Sequence, residues 1–521
     1  MNTSGDRVAL ADARRAYLDG EYGTCLLLCD QLAAPDDDAR FEVAVLRARI
    51  HIRVDRGDRA LEALRNIALE TSSVDQSVVV QMLSGAAYVR LGQKERGAAI
   101  LREAIEKASD AHPTVRAEVS LQLGIALFRL GSYAEADLLF AGIEAGQDVV
   151  HAHALEYRGW VAHARGEFAK AAQWFRETLR ALMSCRRRDR YVEAKALYGL
   201  TAMCPELLSI EDWSRIEPRV RRFDWTLDGL APWRFWVYVG SSFMCEMAGD
   251  VDGARRWARL AESTAATDGH RVVALCRLAA VFRGLGFLPA HAEFVERAAA
   301  LYDTLDLRAL SADLQHLPIC LAEEVAHTKE RNAAEALLAQ YREIILSALK
   351  SSTGDLEQYA AMERAVEGLL HQARGNAREA VRCLSSAYRT FVRRDYRRHA
   401  TLVALRLTRL TGHSRYAAYA EKALRETSSD FWLNRELHSI RRQTGPALTE
   451  TETAILRLIA HGHTYKEIAA SRSVSVKTIG NHVAALFRKF DVHSRGELAS
   501  EAFRQGLVAH DHSPREHDRT A

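Results

Sequence analysis

Gly124-Ile-Ala-Leu-Phe-Arg-Leu-Gly131-Ser-Tyr-Ala-Glu-Ala136 is followed, about 35 residues on, by Gly159-Trp-Val-Ala-His-Ala-Arg-Gly166-Glu-Phe-Ala-Lys-Ala171. Both stretches set one glycine inside an apolar run, a second at its end, and an alanine early in the next run. The glycine followed by a polar residue returns as Gly20-Glu-Tyr, Gly57-Asp-Arg and Gly92-Gln-Lys, and again at Gly249, Gly286, Gly375 and Gly412. A spacing of roughly 35 to 39 residues is the period of two-helix repeats. The wider gaps, 167–248 and 287–374, each leave room for one more degenerate copy, so about eleven hairpins are expected. The end glycine predicts a left-handed helix C-cap. Gly85, Gly124, Gly159 and Gly368 precede the turn glycines Gly92, Gly131, Gly166 and Gly375. A mid-helix glycine costs about 1 kcal/mol relative to alanine, so its recurrence predicts close helix approach. Ala136, Ala171, Ala254, Ala380 and Ala417 supply the small partner on the second helix.

These positions resemble the tetratricopeptide repeat, well over Ser120 to Leu182 and loosely elsewhere, because the large aromatic of the first helix and the closing proline are mostly missing. The resemblance implies an all-α superhelix of helical hairpins over residues 1–442, whose inner surface suits a peptide, a protein or a small molecule. Composition agrees. The 521 residues are too many for one compact core, and the 9 prolines favour helix.

Several function classes are excluded at this level. A formal charge of +3 is too small for a global argument about nucleic acid, so any such claim must come from a local site. Eight cysteines show no C-x-x-C pair and no clustering with histidine, so neither a disulfide framework nor a metal site is indicated, and a reducing cytoplasmic setting is expected. No apolar run is long enough to span a bilayer, and the N-terminus lacks the apolar segment of a signal peptide. No nucleophile elbow, dinucleotide fingerprint or G-x-x-x-x-G-K-[ST] phosphate loop is present; a non-enzyme without a cofactor is expected.

Two local features stand apart from the repeat. Trp213, Trp225, Trp233, Trp236 and Tyr238 crowd one degenerate stretch, either as anchors of a ligand pocket or as the core of an irregular repeat. Arginines cluster at 186–190, at Arg219 with Arg221 and Arg222, and at Arg393-Arg394 with Arg397 and Arg398. A solvated helix face and an anion-binding surface account for them equally.

Past a break at 443–447, with Gly445 and Pro446, the rhythm changes to four short helices. Three open with a Ser/Thr-x-x-Glu capping box: Thr449 with Glu452, Thr464 with Glu467 and Ser494 with Glu497. Helix one, about Thr449 to His461, turns Ile455, Leu456 and Ile459 to one side and stops at Gly462. Helix two runs from about Tyr465 to Ser471. Helix three, N-capped by Ser475, carries Ile479, Val483, Leu486/Phe487 and Phe490 as its apolar stripe, and helix four adds Leu498 and Ala502. Two helices joined by a tight turn, the second long and polar on its outer face, are built to lay a helix in the major groove.

The run Leu448-Thr-Glu-Thr-Glu452, Leu456, Gly462, Lys466-Glu-Ile-Ala469, Val474-Ser475, Thr478-Ile479, His482-Val483, Lys489-Phe490, Val492 and Arg495 resembles the LuxR-type (GerE/NarL-like) helix-turn-helix domain over residues 448–508. On helix three, Lys477, Thr478, Asn481, His482, Ala485 and Arg488 form the outward face. Asn481 suits direct base reading, because an amide pairs in bidentate fashion with adenine. Lys466, Thr478, Arg488 and Lys489 suit phosphate contacts, which position without reading sequence. The resemblance further implies that His482 lies at the DNA face, that Glu467 pairs with Arg495, and that the chain acts as a homodimer on inverted promoter half-sites. Gly480 departs from the family, which usually has lysine there, and Ala484 stands at a position that is often polar. The expectation is a bacterial transcription regulator whose repeat domain receives a peptide, protein or small-molecule effector; the alternative is a scaffold that sequesters another factor and has reduced DNA affinity. The His-rich tail, 509–521, is expected to be disordered.

Overall fold

A computed structural model describes residues 3–32, 36–65, 67, 71, 73–144, 148–227, 229–310, 314–328, 330–348, 356–444, 448–490 and 492–504. The expected disordered tail lies outside the described residues, as do 445–447 of the expected linker; Gln443 and Thr444 belong to a helix. Among the described residues there is no strand. Contacts divide the chain into two compact units, Met1–Val403 with Ala423–Trp432, and Ala404–Lys422 with Leu433–Ala521.

The first unit is a succession of hairpins. They are α1 (Thr3–Asp19) with α2 (Tyr22–Asp30), α3 (Asp37–Arg53) with α4 (Gly57–Arg65), α5 (Val74–Arg90) with α6 (Lys94–Lys107), and α7 (Pro113–Arg129) with α8 (Tyr133–Ala141). Next come α9 (Asp148–Ala164) with α10 (Phe168–Ser184), α11 (Arg190–Leu207) with α12 (Ile210–Arg222), and α13 (Ala231–Met247) with α14 (Val251–Ser263). The series continues with α15 (Asp268–Gly284) and α16 (Leu288–Tyr302), α17 (Leu317–Val325) and α18 (Arg331–Ala348), and α19 (Leu356–Ala373) and α20 (Ala377–Arg393). From α1 to α17 each first helix packs on its own partner and on the first helix of the next hairpin, which is tetratricopeptide-like stacking. Helices α21 (Arg397–Thr411) and α22 (Ser414–Leu424) make the eleventh pair in sequence, and α23 (Trp432–Thr444) follows.

The turn chemistry is largely as expected. Gly20, Gly92, Gly131, Gly166, Gly249, Gly286, Gly375 and Gly412 all have positive φ. Gly57 does not: Asp55 takes the left-handed position, and Gly57 opens α4, where a Cβ would come within 2.5 Å of the Ala87 carbonyl oxygen. Its small size serves helix packing rather than the turn. In the degenerate hairpin α11/α12 the left-handed residue is Leu208, which is why no glycine marks that copy.

The interior glycines are contact points. A Cβ at Gly124 would lie 2.5 Å from the Phe140 ring, at Gly85 2.7 Å from Leu101 and at Gly368 2.6 Å from Leu384. Phe175 is gripped twice, because a Cβ at Gly159 or at Gly199 would each come within 2.5 Å of its ring.

The first unit also makes contacts far beyond neighbouring repeats. α1 packs on α11, and Arg53 of α3 pairs with Asp189, the N-cap of α11. Arg398 and His399 of α21 pair with Glu206 of α11 at 3.3 and 2.8 Å, and Phe168 stacks edge-on against Tyr396. Such closures bury charge, so each guanidinium in them meets a carboxylate.

Candidate nucleic-acid interface

Four helices make up the C-terminal part of the second unit: α24 (Glu450–Ala460), α25 (Tyr465–Ser471), α26 (Val476–Phe490) and α27 (Arg495–Arg504). The caps explain their boundaries. Thr449 accepts from the Glu452 amide while the Glu452 carboxylate accepts from the Thr449 amide at 2.8 Å; Thr464 and Glu467 repeat this reciprocal pattern. The third box is half formed: the Glu497 amide donates to Ser494 Oγ at 3.2 Å, but its carboxylate accepts from the His493 amide, one residue earlier. Gly462, at φ 90°, ends α24. Ser473, at φ 55°, makes the turn between α25 and α26.

One core holds the four helices. Ile455, Leu456 and Ile459 meet Ile468, Ala469, Ile479, Val483, Leu486, Phe490, Leu498 and Ala502, all buried. Phe487 packs against this core only partly buried. Burying Ile479, Val483, Leu486 and Phe490 forces the opposite stripe of α26 outward. Lys477, Asn481, Ala484 and Arg488 on it are exposed, and Thr478, His482 and Ala485 are half-buried beside it.

The expected contact residues thus fall into two groups. Lys477, Asn481 and Arg488 share one side of α26, His482 lies half-buried at its flank, and Lys466 is exposed at the start of α25. Thr478 also helps cap α26: its amide donates to Ser475 Oγ at 3.0 Å, and the two hydroxyls are 2.8 Å apart. Lys489 is engaged inside the domain, donating through Nζ to Glu452 at 2.6 Å and so fastening α26 to α24. Burial raises the Glu452 carboxyl, but the bonds from Lys489 and Thr449 outweigh it and hold the group below its ordinary value. The expected pairing of Glu467 with Arg495 is not formed. The Glu467 carboxylate is used in its capping box, and Arg495 donates to the His463 carbonyl, its guanidinium 5.9 Å from the Tyr465 ring centroid.

The aromatic group of the first unit is dispersed. Trp213 and Trp225 are buried, the Trp225 indole donating to the Val220 carbonyl at 3.0 Å. Trp233 packs on Tyr198, Trp236 on Phe235 and His270, and Tyr238 on Trp257. Among the clustered arginines, Arg219 pairs with Glu193 at 2.7 Å, Arg393 with Glu357 at 2.8 Å and Arg398 with Glu206. Among the described residues no helix is long and apolar enough to cross a membrane.

Residues 446–502 match the family described as bacterial regulatory proteins, luxR family (GerE). The uncharacterized response regulatory protein YgeK of Escherichia coli K12 is 44% identical over 69 residues, which cover 13% of this chain and 47% of that protein. The response regulator protein VraR of Staphylococcus aureus is 38% identical over 61 residues, 12% of this chain and 29% of that protein. The chain therefore spans less than half the length of these curated relatives. A tetratricopeptide repeat protein from Parabacteroides merdae aligns with 63% of this chain and 99% of its own, at 14% identity and a TM-score of 0.31. The chain is an all-helical, tetratricopeptide-like hairpin array carrying, at residues 446–502, a GerE domain of the luxR family of bacterial regulatory proteins.

Proposed function

We propose that the chain is a DNA-binding transcription regulator in which α26 enters the major groove and the hairpin array, residues 1–442, senses an effector and controls that binding. The observation that carries the reading is the outward stripe Lys477, Asn481, Ala484 and Arg488 on the second helix of a GerE helix-turn-helix. Asn481 reads a base, Lys477, Thr478 and Arg488 meet phosphates, His482 lies at the groove edge, and Lys466 secures the flanking backbone. Lys489 reaches DNA only by giving up Glu452, so its main contribution is to hold α26 in place. The working form is a cytoplasmic homodimer on inverted half-sites, a geometry in which protein symmetry mirrors operator symmetry.

Footprinting of the chain on the promoter region of its own gene tests this. Asn481→Ala should weaken binding to the protected sequence by about 1–3 kcal/mol while leaving non-specific binding nearly unchanged. Failure to bind duplex DNA even at low salt would remove the reading altogether.

A second reading, a scaffold with a helix-turn-helix of reduced DNA affinity, is favoured by Gly480, which puts no side chain where luxR-type domains usually carry a lysine. A Cβ at Gly480 meets nothing within 4 Å, so the position accepts a longer residue. Gly480→Lys should raise helix propensity by up to about 1 kcal/mol and, if the face meets DNA, increase affinity and steepen the salt dependence by about one released counterion. Salt-titrated gel shifts measure this, and on the scaffold reading the slope stays flat.

A further inference from the structure

The first helices of the first six hairpins enclose a cavity of about 230 Å³. Its lining includes the apolar side chains Leu83, Leu121, Ile125 and Val150. Three tyrosines, Tyr17, Tyr157 and Tyr191, which are 8%, 6% and 5% exposed, also line it. None of their hydroxyls has a hydrogen-bond partner among the described residues. The three oxygens are not among the buried polar atoms, so they reach the space of the cavity, where three phenol donors suit an occupant that accepts hydrogen bonds.

The rings are held in place by cations. The Arg53 guanidinium lies 4.2 Å from the Tyr17 ring centroid and 4.7 Å from that of Tyr191, and Lys195 Nζ lies 4.1 Å from that of Tyr157. Burial raises Tyr17 and Tyr191 above the ordinary phenol range, so both remain proton donors at neutral pH. His153, also on the wall, is pushed well below its ordinary value by burial and then by Lys195, so it is uncharged.

The charge balance gives the sign of the occupant. Arg49, Arg53 and Arg90 line the cavity against Glu118 and Asp189, a surplus of one positive charge. Lys195 and Glu156 behind the wall cancel each other at 2.8 Å. Among the described residues Arg90 pairs with Asp55 alone, at 2.9 Å, a carboxylate whose side chain is 69% exposed. Nearby Arg129 has no ion-pair partner among the described residues, and burial followed by Arg90 holds its guanidinium below its usual value. A net charge of one positive from Arg90, Arg129 and Asp55 together, three phenol donors and aliphatic lining match one kind of ligand.

We propose that this cavity binds a small amphipathic carboxylate, its head taken by the hydroxyls of Tyr17, Tyr157 and Tyr191 beside Arg90 and its tail laid against Leu83, Leu121, Ile125 and Val150. This deepens the sensing part of the proposed function by giving the effector a place and a chemical class, and binding itself does not depend on that reading. Calorimetric titration of the full chain with octanoate and hexanoate, against octan-1-ol and octylammonium, tests it. The carboxylates should bind saturably and raise Tm; the alcohol and the amine should not. Tyr157→Phe with Tyr191→Phe removes only hydroxyls that have no partner, so Tm without ligand should stay within a few degrees of the parent while octanoate affinity falls by about tenfold per hydroxyl or more. Absence of binding at millimolar carboxylate, equal binding of the alcohol, or unchanged affinity in the folded double variant would each overturn the site. A gel shift with and without octanoate reads the coupling separately: carboxylate binding that leaves DNA affinity unchanged keeps the site and removes its role as the regulator's input.

Discussion

Phe175→Ala should lower the unfolding free energy of the hairpin array by about 3–5 kcal/mol, the upper range for emptying a buried aromatic site. The side chain is fully buried and belongs to α10, while the backbones of Gly159 on α9 and Gly199 on α11 close on its two sides. Three helices therefore lose their common wedge at once, and neither glycine has a side chain with which to refill the gap. Gly159→Ala should also destabilise. The new methyl would sit within 2.5 Å of the ring, an overpacking cost of about 1–3 kcal/mol, against which alanine's helix preference returns about 1 kcal/mol. The two effects should couple, because a smaller residue at 175 makes room for the methyl. Urea unfolding followed by circular dichroism on the four proteins of this cycle checks both. Additive losses, or a Phe175→Ala loss near 1 kcal/mol, would show that the ring is not the wedge.

Glu206→Gln should cost up to about 3 kcal/mol at neutral pH and almost nothing near pH 2. Burial alone would raise this carboxyl, but His399 and Arg398 outweigh it and lower its pKa to about 2. A glutamate in the unfolded chain titrates near about 4.3, so the folded state binds its proton more weakly. The stabilisation is then fully present above the unfolded value and is lost as pH falls from about 4.3 towards 2. The side chain is 15% exposed, so solvent screening takes only a modest part of it. Thermal unfolding of parent and variant between pH 7 and pH 2 should give two curves that converge on the acid side; a constant gap would mean that the pair contributes through packing and not through charge.

Much of this was legible in the sequence, and the reasons differ by element. The GerE domain is encoded locally: each capping box spans four residues, and the stripe Ile479, Val483, Leu486 and Phe490 alternates with the exposed Lys477, Asn481 and Arg488 by helical period alone. The turn glycines were equally readable, since positive φ has a strong residue preference. Where another residue met the same backbone demand, as with Asp55 and Leu208, the signal was silent or displaced. Gly57 read as a turn residue, yet its role is to let α4 approach α5.

Long-range pairings were not legible. Lys489 looked like any basic residue at a recognition helix, and only the fold brings Glu452 of α24 to its ammonium. Arg495 had a plausible partner in Glu467, but the capping box already occupied that carboxylate, and a backbone carbonyl took its place. The cavity was invisible for the same reason: Tyr17, Tyr157 and Tyr191 lie on three different helices, and no periodicity relates them. The tryptophan-rich stretch drew attention by composition, whereas the structure distributes its rings over separate contacts.

The closure of α3 onto α11 bears on how the chain is made. Arg53 and Asp189 are 136 residues apart, so a ribosome must emit more than a third of the protein before the first guanidinium meets its counter-charge. Until then the early hairpins stand as an open stack with a charged, unsealed edge, the kind of intermediate that invites chaperones and mispairing with a neighbouring nascent copy.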